Sequence, residues 1–279
     1  MGTLYLVATP IGNLEDISHR ALRVLSQVRC IAAEDTRQTR KLLSHYNIRT
    51  AVISFHEHSP KEKLEQVLKL LDQGDVALVS DAGTPLLNDP GFDLVLAAIA
   101  AGHTISPIPG PSAPLAALIA SGLPVNAFLY LGYLPRRMME RRRMLTEVKS
   151  LPYTLVFLET PHRLLAALSD LKEALGDRHV AVARELTKLH EEIFRGTLSE
   201  AFQHYTRNPA RGEITLVVAG YEEPQARWSA EQLQAAIEHE LKINHSSTEI
   251  ASRLASESGW PRREIYRRIL ERRPNFRRK

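Results

Sequence analysis

Three short loops rich in glycine and proline are the parts of this sequence best suited to hold a small ligand. They are T-P-I-G-N-L at residues 9–14, S-D-A-G-T-P at 80–85 with N-D-P-G close behind at 88–91, and P-G-P-S-A at 109–113. Such small residues leave backbone amides accessible, and two of the loops lead into predicted helices, whose N-termini favour a bound carboxylate. One such loop would indicate only a tight turn, whereas three at one sheet edge favour a ligand cleft.

Each of these loops directly follows a predicted strand, in a region where strands and helices alternate. Strands predicted at residues 3–8, 76–80 and 104–108 precede the three loops, and others at 30–33 and 51–55 alternate with amphipathic helices. This alternation predicts a parallel or mostly parallel sheet with helices on both faces. Ligands of such sheets bind beyond the carboxyl ends of the strands, which is where the loops lie.

A second α/β unit and a helical C-terminal piece are predicted to follow. Beyond residue 126 the pattern predicts helices at 163–175 and 198–205 and strands at 128–131, 154–158, 179–184, 192–197 and 212–219. We therefore expect an α/β fold with domains at residues 1–123 and 124–224, and a basic helical domain at 225–279.

Composition and missing motifs exclude several classes of protein. A single cysteine rules out a disulfide framework and fits a reducing, cytoplasmic compartment. The chain has no G-x-G-x-x-G, no P-loop, no G-x-S-x-G and no H-E-x-x-H, and no ligand spacing that indicates a metal site. Residues 104–135 carry no charge, but prolines and a glycine break them into short pieces, so no membrane span is predicted.

Positive charge is concentrated near the C-terminus. The net charge is +4, and residues 225–279 alone hold 12 basic and 7 acidic residues. A capping box at Ser246 and Glu249, a turn at Gly259 and a basic helix predicted at 261–272 resemble a helix-turn-helix. Within that helix an apolar stripe is predicted at Ile265, Tyr266, Ile269 and Leu270. The charge indicates a polyanionic partner, with a solubilising tail as the alternative.

Seven motifs together resemble one family. They are T-P-I-G-N-L, A-E-D-T-R-Q-T-R-K-L-L (33–43), S-F-H-E-H (54–58), S-D-A-G-T-P, P-G-P-S-A, E-T-P-H-R-L (159–164) and A-R-E-L-T-K-L-H-E-E (183–192). In this order they resemble the ribosomal RNA small-subunit methyltransferase I family of the tetrapyrrole methylase superfamily. The resemblance implies two α/β domains with S-adenosylmethionine in the cleft between them. It also implies a homodimer, and 2′-O-methylation of a cytidine ribose in the decoding region of small-subunit ribosomal RNA.

The resemblance also implies which residues contact the cofactor. They lie in the three loops, and they are Pro10, Asp81, Gly83, Thr84, Ser112 and Ala113. Tetrapyrrole enzymes of the superfamily carry a G-x-G-P-type turn after the first strand, where this chain has A-T-P-I-G. That departure favours the RNA branch over the alternative of a tetrapyrrole methyltransferase.

Methylation of a ribose hydroxyl would need a base, or a cation that lowers the hydroxyl's pKa, because this pKa lies far above neutral. The candidates are Glu34, Asp35, Glu185 and Lys188, with His56 and Glu57 as further possibilities. Each could instead form a structural ion pair, such as Asp35 with Arg37 or Arg184 with Glu185. The sequence does not rank them.

Two basic clusters are expected to bind RNA phosphates. The first comprises Arg136, Arg137 and Arg141, beside Arg142 and Arg143. The second comprises Arg263, Arg267 and Arg268, with Arg272. Both clusters could also be solvated helix faces, and a non-catalytic RNA-binding assembly protein is a further alternative. Part of the uncharged run at 104–133 is expected to line the homodimer interface.

Overall fold

The computed structural model describes residues 2–56, 59–223, 228–243 and 246–272. Two compact units divide the chain, Met1–Tyr221 and Glu222–Lys279. The two α/β regions expected at 1–123 and 124–224 thus lie within one compact unit, in which each contributes a sheet. None of the helices in the described ranges is long and apolar enough to cross a membrane.

The first sheet is entirely parallel, in the strand order β3-β2-β4-β1-β5. Its strands are β1 (Thr3–Val7), β2 (Cys30–Ala33), β3 (Val52–Ser54), β4 (Val76–Val79) and β5 (Thr104–Ile108). The helices are α1 (His19–Gln27), α2 (Thr36–His45), α3 (Lys61–Gln73), α4 (Phe92–Ala100) and α5 (Ala113–Ala120). Helices α1 and α2 cover one face and α3 and α4 the other. Every residue of β2 and β4 is consequently buried, which explains their uninterrupted apolar sequences.

The second sheet is mixed, with the order β6-β7-β10-β8-β9. Its strands are β6 (Phe128–Tyr133), β7 (Thr154–Glu159), β8 (His179–Arg184), β9 (Glu192–Thr197) and β10 (Ile214–Val218). Only β6 and β7 pair in parallel, and the other three pairs are antiparallel. The expectation of a parallel or mostly parallel sheet, which was made for the first α/β region, is confirmed there. Because β8 and β9 are joined without a helix, they form a hairpin rather than a crossover.

Three helices accompany the second sheet, and a shared core joins it to the first. They are α6 (Met138–Val148), α7 (Leu164–Leu175) and α8 (Leu198–Arg207). Helix α5 packs on the second sheet, where Ala117 and Leu118 share a buried cluster with Val156 and Val217. Ile11, from the loop after β1, belongs to the same cluster. The carboxyl-end loops of the first sheet are therefore held against the second sheet.

The second unit is a bundle of three helices, α9 (Ala230–Lys242), α10 (Ser247–Ser258) and α11 (Arg262–Arg272). Its own core contains Leu233, Ile237, Ile250, Leu254, Ile265 and Ile269. The capping box at Ser246 and Glu249 is present, and Gly259 ends α10 in the left-handed conformation. Helix α9 was not expected from the sequence. Residues 273–279 of the basic C-terminus lie outside the described residues.

The apolar stripe expected on α11 is narrower than predicted. Ile265 and Ile269 are buried, but Tyr266 and Leu270 are 39% and 40% exposed. Only one line of contacts with α9 and α10 is needed to close a small bundle, so the neighbouring positions remain on the surface.

Candidate active site

Backbone hydrogen bonds lock the loops after β1, β4 and β5 to one another. Thr9 and Gly83 exchange both backbone hydrogen bonds at 2.9 Å, in an antiparallel bridge outside the sheet. The Thr84 hydroxyl donates to the Pro111 carbonyl at 3.1 Å. Gly83 has a φ of +81°, a conformation that favours glycine. The three loops singled out from the sequence therefore form one connected platform.

A cleft of about 290 Å³ opens between this platform and the second sheet. Five of the six expected cofactor residues line it: Asp81, Gly83, Thr84, Ser112 and Ala113. The opposite wall comes from β6, β7 and β10 and includes Tyr130, Tyr133, Leu158 and Thr215. The volume of the cleft is close to the lower limit for small-molecule sites, which span roughly 300–1,000 Å³.

Pro10 is the exception among the expected cofactor residues. It lines a second cavity of about 310 Å³ on the α2 side of the platform. Asp81 lines both cavities.

The cleft is acidic. Glu34, Asp81, Asp89 and Glu213 line it, and none of its lining residues is a lysine, arginine or histidine. Burial raises the pKa of Asp89, and the nearby Asp81 carboxylate adds to this effect. The arrangement favours a ligand that carries positive charge. Within the described ranges, no group of three or more His, Cys, Asp or Glu residues could hold a metal ion.

The Ser112 hydroxyl is an unpartnered polar group in this cleft. Ser112 is the N-cap of α5, yet its side chain makes no capping hydrogen bond, and its Oγ is buried without a hydrogen-bond partner among the residues that the structure describes. A buried hydroxyl without a partner costs free energy, and a bound ligand can remove that cost. The cleft therefore contains a hydrogen-bonding group poised for a ligand.

A contact across the cleft was not foreseen from the sequence. The Tyr130 hydroxyl donates to Asn88 Oδ1 at 2.6 Å. Asn88 has a φ of +68°, and a Cβ on Gly132 would lie 2.6 Å from its side-chain amide. Burial raises the pKa of Tyr130 to about 12, so the hydroxyl stays a donor at neutral pH. The N-D-P-G motif was recognised in the sequence, but its contact with Tyr130 of β6 could not be predicted.

Among the four candidate bases, only Glu34 lines the cleft. Asp35 instead caps α2, accepting from the Arg37 amide at 2.8 Å, and pairs with the Arg37 side chain at 2.7 Å. Hydrogen bonds from Arg37 lower the pKa of Asp35 to about 2, which makes it a weak base. The expectation for Asp35 as a base is therefore not supported, and its structural alternative is observed.

Glu185 and Lys188 bind each other. Lys188 Nζ lies 2.9 Å from Glu185 Oε1 and 3.2 Å from Glu213 Oε2. The hydrogen bond from Lys188 lowers the pKa of Glu185. Burial acts to lower the pKa of Lys188, but its two carboxylate partners outweigh burial and raise it. Lys188 is thus a cation, and Glu213 links this ion pair to the cleft. His56 lies on the surface, and Glu57 is outside the described residues.

Arg141 was expected to bind RNA, and the structure does not support that expectation. Its side chain is only 7% exposed and is paired with Asp170, which is 6% exposed. Arg142 also binds Asp170, at 2.9 Å. The guanidinium of Arg141 therefore fastens α6 to α7 and cannot reach a phosphate. Arg136 and Arg137 are exposed.

The basic residues of α11 divide in the same way. Arg263 and Arg267 are exposed. Arg268 lies over the Trp260 ring, 4.5 Å from its centroid, and 3.6 Å from Glu264. Arg268 is thus engaged within its own unit, and Arg272 pairs with Glu238. Arg263 and Arg267 remain candidates for phosphate contacts.

Known proteins share both the sequence and the fold of this chain. The family model for Tetrapyrrole (Corrin/Porphyrin) Methylases matches residues 3–201. A protein of Halalkalibacterium halodurans named Ribosomal RNA small subunit methyltransferase I is 46% identical over 270 residues, covering 95% of this chain and 93% of its own. One of the same name from Thermotoga maritima is 48% identical over 223 residues, which are 80% of this chain and the whole of that protein.

Solved structures of methyltransferases have the same fold at low sequence identity. The methyltransferase CobJ superposes with a TM-score of 0.60 at 18% identity, covering 79% of this chain and 95% of its own. Uroporphyrin-III C-methyltransferase from Thermus thermophilus, complexed with S-adenosyl homocysteine, gives 0.55 at 19%, covering 78% and 97%. The expected fold class is thus confirmed. This chain belongs to the tetrapyrrole methylase family and, within it, to the ribosomal RNA small subunit methyltransferase I family.

Proposed function

We propose that this protein transfers a methyl group from S-adenosylmethionine to the 2′-oxygen of a cytidine ribose in the decoding region of small-subunit ribosomal RNA. The donor is S-adenosylmethionine, whose sulfonium and ammonium groups carry positive charge. The observation that carries the proposal is the cleft, where four carboxylates and no basic side chain face a space between the two sheets. A phosphate-rich cofactor would be repelled from the same site.

The residues present fit this donor. The Ser112 hydroxyl lacks a partner and can bond the methionine part of the donor, beside the first amides of α5. Asp81 Oδ1 accepts from the Asp35 amide at 2.9 Å, which orients the carboxylate at the cleft edge. Asp81 can accept hydrogen bonds from the donor's amino group. Gly83 brings its backbone against Ile11, since a Cβ there would lie 3.4 Å from the Ile11 side chain.

The protein's part in the reaction is to position the reactants and accept a proton. When bound, S-adenosylmethionine supplies an activated methyl group whose leaving sulfur is neutral, so alignment accounts for much of the rate. The ribose hydroxyl must lose a proton as it attacks. We assign the base role to Glu34, the candidate that lines the cleft, because Asp35 and Glu185 have lowered pKa values.

The decisive experiment measures the methylated product. Small ribosomal subunits from cells without this modification are incubated with the protein and S-adenosylmethionine labelled in the methyl group, and the RNA is digested to nucleosides for mass spectrometry. We expect labelled 2′-O-methylcytidine, and none with Glu34→Gln, which should still bind the donor. Label on a base, or on a porphyrinogen offered in parallel, would contradict the proposal, as would the absence of any product. Because the proposed substrate is the small ribosomal subunit, we expect the activity to be cytoplasmic.

Loss of the Ser112 hydroxyl provides a separate test of the donor site. We expect Ser112→Ala to weaken S-adenosylmethionine binding about fivefold, because one hydrogen bond contributes about 1 kcal/mol. Isothermal titration calorimetry measures the Kd. Ser121→Ala is the matched control, since that hydroxyl donates to Leu118 at the other end of α5. Equal affinities for Ser112→Ala and the unmodified protein would remove Ser112 from the site.

Exposed apolar helix faces support the homodimer. Phe92, Leu96 and Ile99 lie on one face of α4 at i, i+4 and i+7, and Leu115 and Ile119 on one face of α5. Ile119 is 76% exposed. Neighbouring exposed apolar side chains of this kind are typical of protein–protein interfaces. The face on α4 lies outside the run at 104–133 that the sequence indicated.

A charge in this surface should separate the subunits. Ile119→Asp places a carboxylate among apolar contacts, so we expect the dimer Kd to rise at least tenfold, on the order of 1.4 kcal/mol or more. Light scattering coupled to gel filtration gives the mass. Leu189→Asp is the control, because Leu189 is 93% exposed on the loop between β8 and β9 and belongs to neither helix face. A dimer that persists equally in both variants would place the interface elsewhere.

A further inference from the structure

The cavity lined by Pro10 adjoins the cleft proposed to bind S-adenosylmethionine, which is called the donor cleft below. The residues that line the two spaces differ in charge. The walls of this second cavity are α2, the loop after β1 and the end of β4, and they include Pro10, Gln38, Lys41 and Asp81. Asp81 is the one acidic residue among its lining residues, and Lys41 is the one cation. Asp81 also lines the donor cleft. A ligand in this second cavity would therefore come close to a donor in the first.

Helix α2 presents one cation, Lys41, at this cavity, whereas Arg40 lines a separate pocket together with Ser44 and Asn47. Arg37, Arg40 and Lys41 are exposed, and the helix contains no acidic residue. Arg37 stands in the first turn, where it pairs with the cap residue Asp35, and Arg40 and Lys41 stand in the second turn. No carboxylate within α2 neutralises Arg40 or Lys41, so the helix carries net positive charge beside the cavity.

The start of α2 is fixed to the donor platform. The Asp35 amide donates to Asp81 Oδ1 at 2.9 Å, and Asp35 caps the helix. Lys41 Nζ is held by Gln38 at 3.1 Å, so both polar side chains are arranged on the cavity wall. The Lys41 cation and the Asp81 carboxylate thus line the same cavity.

We propose that this cavity and the basic face of α2 form the acceptor subsite, which binds the ribose–phosphate backbone of the target RNA strand. Lys41 binds a phosphate oxygen in the cavity and Arg40 binds a neighbouring phosphate outside it, and the sugar lies between Pro10 and Asp81, at the boundary with the donor cleft. A carboxylate accepts hydrogen bonds from ribose hydroxyls, whereas the cations of α2 neutralise the backbone. This subsite rests on the proposed RNA methyltransferase function. It assigns Pro10 to the acceptor rather than to the cofactor.

The test compares a variant that lacks two positive charges of α2 with a variant that lacks two positive charges elsewhere on the protein. The variant is Arg40→Gln with Lys41→Gln. The matched control is Arg20→Gln with Arg23→Gln, which changes two exposed arginines on α1 by the same charge. Circular dichroism checks that both double variants fold. If the α2 double variant does not fold, Lys41→Gln alone replaces it.

Three quantities are measured for each protein: the KM for small ribosomal subunits, the salt dependence of RNA binding, and the Kd for S-adenosylmethionine. For the α2 variant we expect KM to rise more than tenfold. The slope of log K against log salt should fall by about 1.4, since each phosphate contact in a single strand contributes about 0.7. The Kd for S-adenosylmethionine should be unchanged, and the control should match the unmodified protein in all three.

The outcomes separate this inference from the function on which it rests. An unmodified protein that methylates no RNA refutes the proposed function, and the salt slopes then still show whether α2 binds RNA. A methylating protein whose KM and slope are the same in the α2 variant and the control refutes the subsite. A loss of S-adenosylmethionine affinity in the α2 variant also refutes it, because the cavity would then belong to the donor.

Discussion

Asp170→Ala is expected to lower the free energy of unfolding by about 3–5 kcal/mol. The Asp170 carboxylate accepts from Arg141 Nε at 2.7 Å and from Arg142 Nε at 2.9 Å. Both Asp170 and Arg141 are almost fully buried. Removing the carboxylate leaves the Arg141 guanidinium buried without a counter-charge, which costs more than the loss of the contact itself. Backbone carbonyls such as that of Pro135, at 3.0 Å, would only partly compensate.

Urea unfolding followed by far-UV circular dichroism measures this loss. Tryptophan fluorescence would report on the wrong unit, because Trp228 and Trp260 both lie in the helical bundle. Glu173→Ala is the control: it removes an exposed carboxylate that binds Arg142, and surface ion pairs contribute about 0–1 kcal/mol. A loss for Asp170→Ala no greater than for Glu173→Ala would mean that Arg141 is solvated rather than buried.

The same arginine shows where sequence reasoning about charge stops. Arg136, Arg137 and Arg141 form one basic run, and nothing in their spacing separates the exposed from the buried members. Asp170 lies on another helix, 29 residues away. The distinction depends on tertiary packing of α6 against α7, which no local pattern encodes. No helix was predicted at 138–148, where a solvated helix face was only the alternative interpretation of this basic run.

Strands of the first sheet could be predicted closely, because short apolar runs between glycine- and proline-rich loops are typical of buried parallel strands. β5 was predicted with its observed bounds, Thr104–Ile108. The platform of loops that forms one wall of the cleft followed from these strands, since parallel strands bring their loops to one edge. The opposite wall did not. Tyr130 and Glu213 reach the cleft through the pairing of β6, β7 and β10, and that order is a long-range property.

Ending the chain at Glu223 is expected to separate RNA affinity from donor binding. The bundle of α9, α10 and α11 has a hydrophobic core of its own, and no core cluster of the described residues is shared between the two units. The Thermotoga maritima relative aligns over its full length with 80% of this chain, about the share taken by Met1–Tyr221. Tyr221 must stay, because its amide donates to the Leu151 carbonyl at 2.7 Å. We therefore expect the shortened protein to fold and to bind S-adenosylmethionine with unchanged Kd.

RNA binding by the shortened protein should fall on the order of 100-fold at 0.1 M salt. Arg262, Arg263 and Arg267 are exposed on α11, and three phosphate contacts at about 0.7 each correspond to a drop of about 2 in the salt slope. Replacing these three arginines with glutamine in the full chain should reproduce the loss while the bundle stays folded. The control is Arg253→Gln, since Arg253 is paired with Glu240 inside the bundle.

Methylation of small ribosomal subunits should follow RNA affinity in this series. At low RNA concentration both the shortened protein and the triple glutamine variant should lose product formation in proportion to binding, whereas at saturating RNA the kcat should return to that of the full chain. Such a KM-only effect is what an anchor that takes no part in the chemistry produces, because uniform binding changes KM and leaves kcat alone. If the shortened protein matched the full chain in affinity and salt slope, the basic helix would be a solubilising tail. A fall in kcat at saturating RNA would instead assign the bundle a part in positioning the ribose.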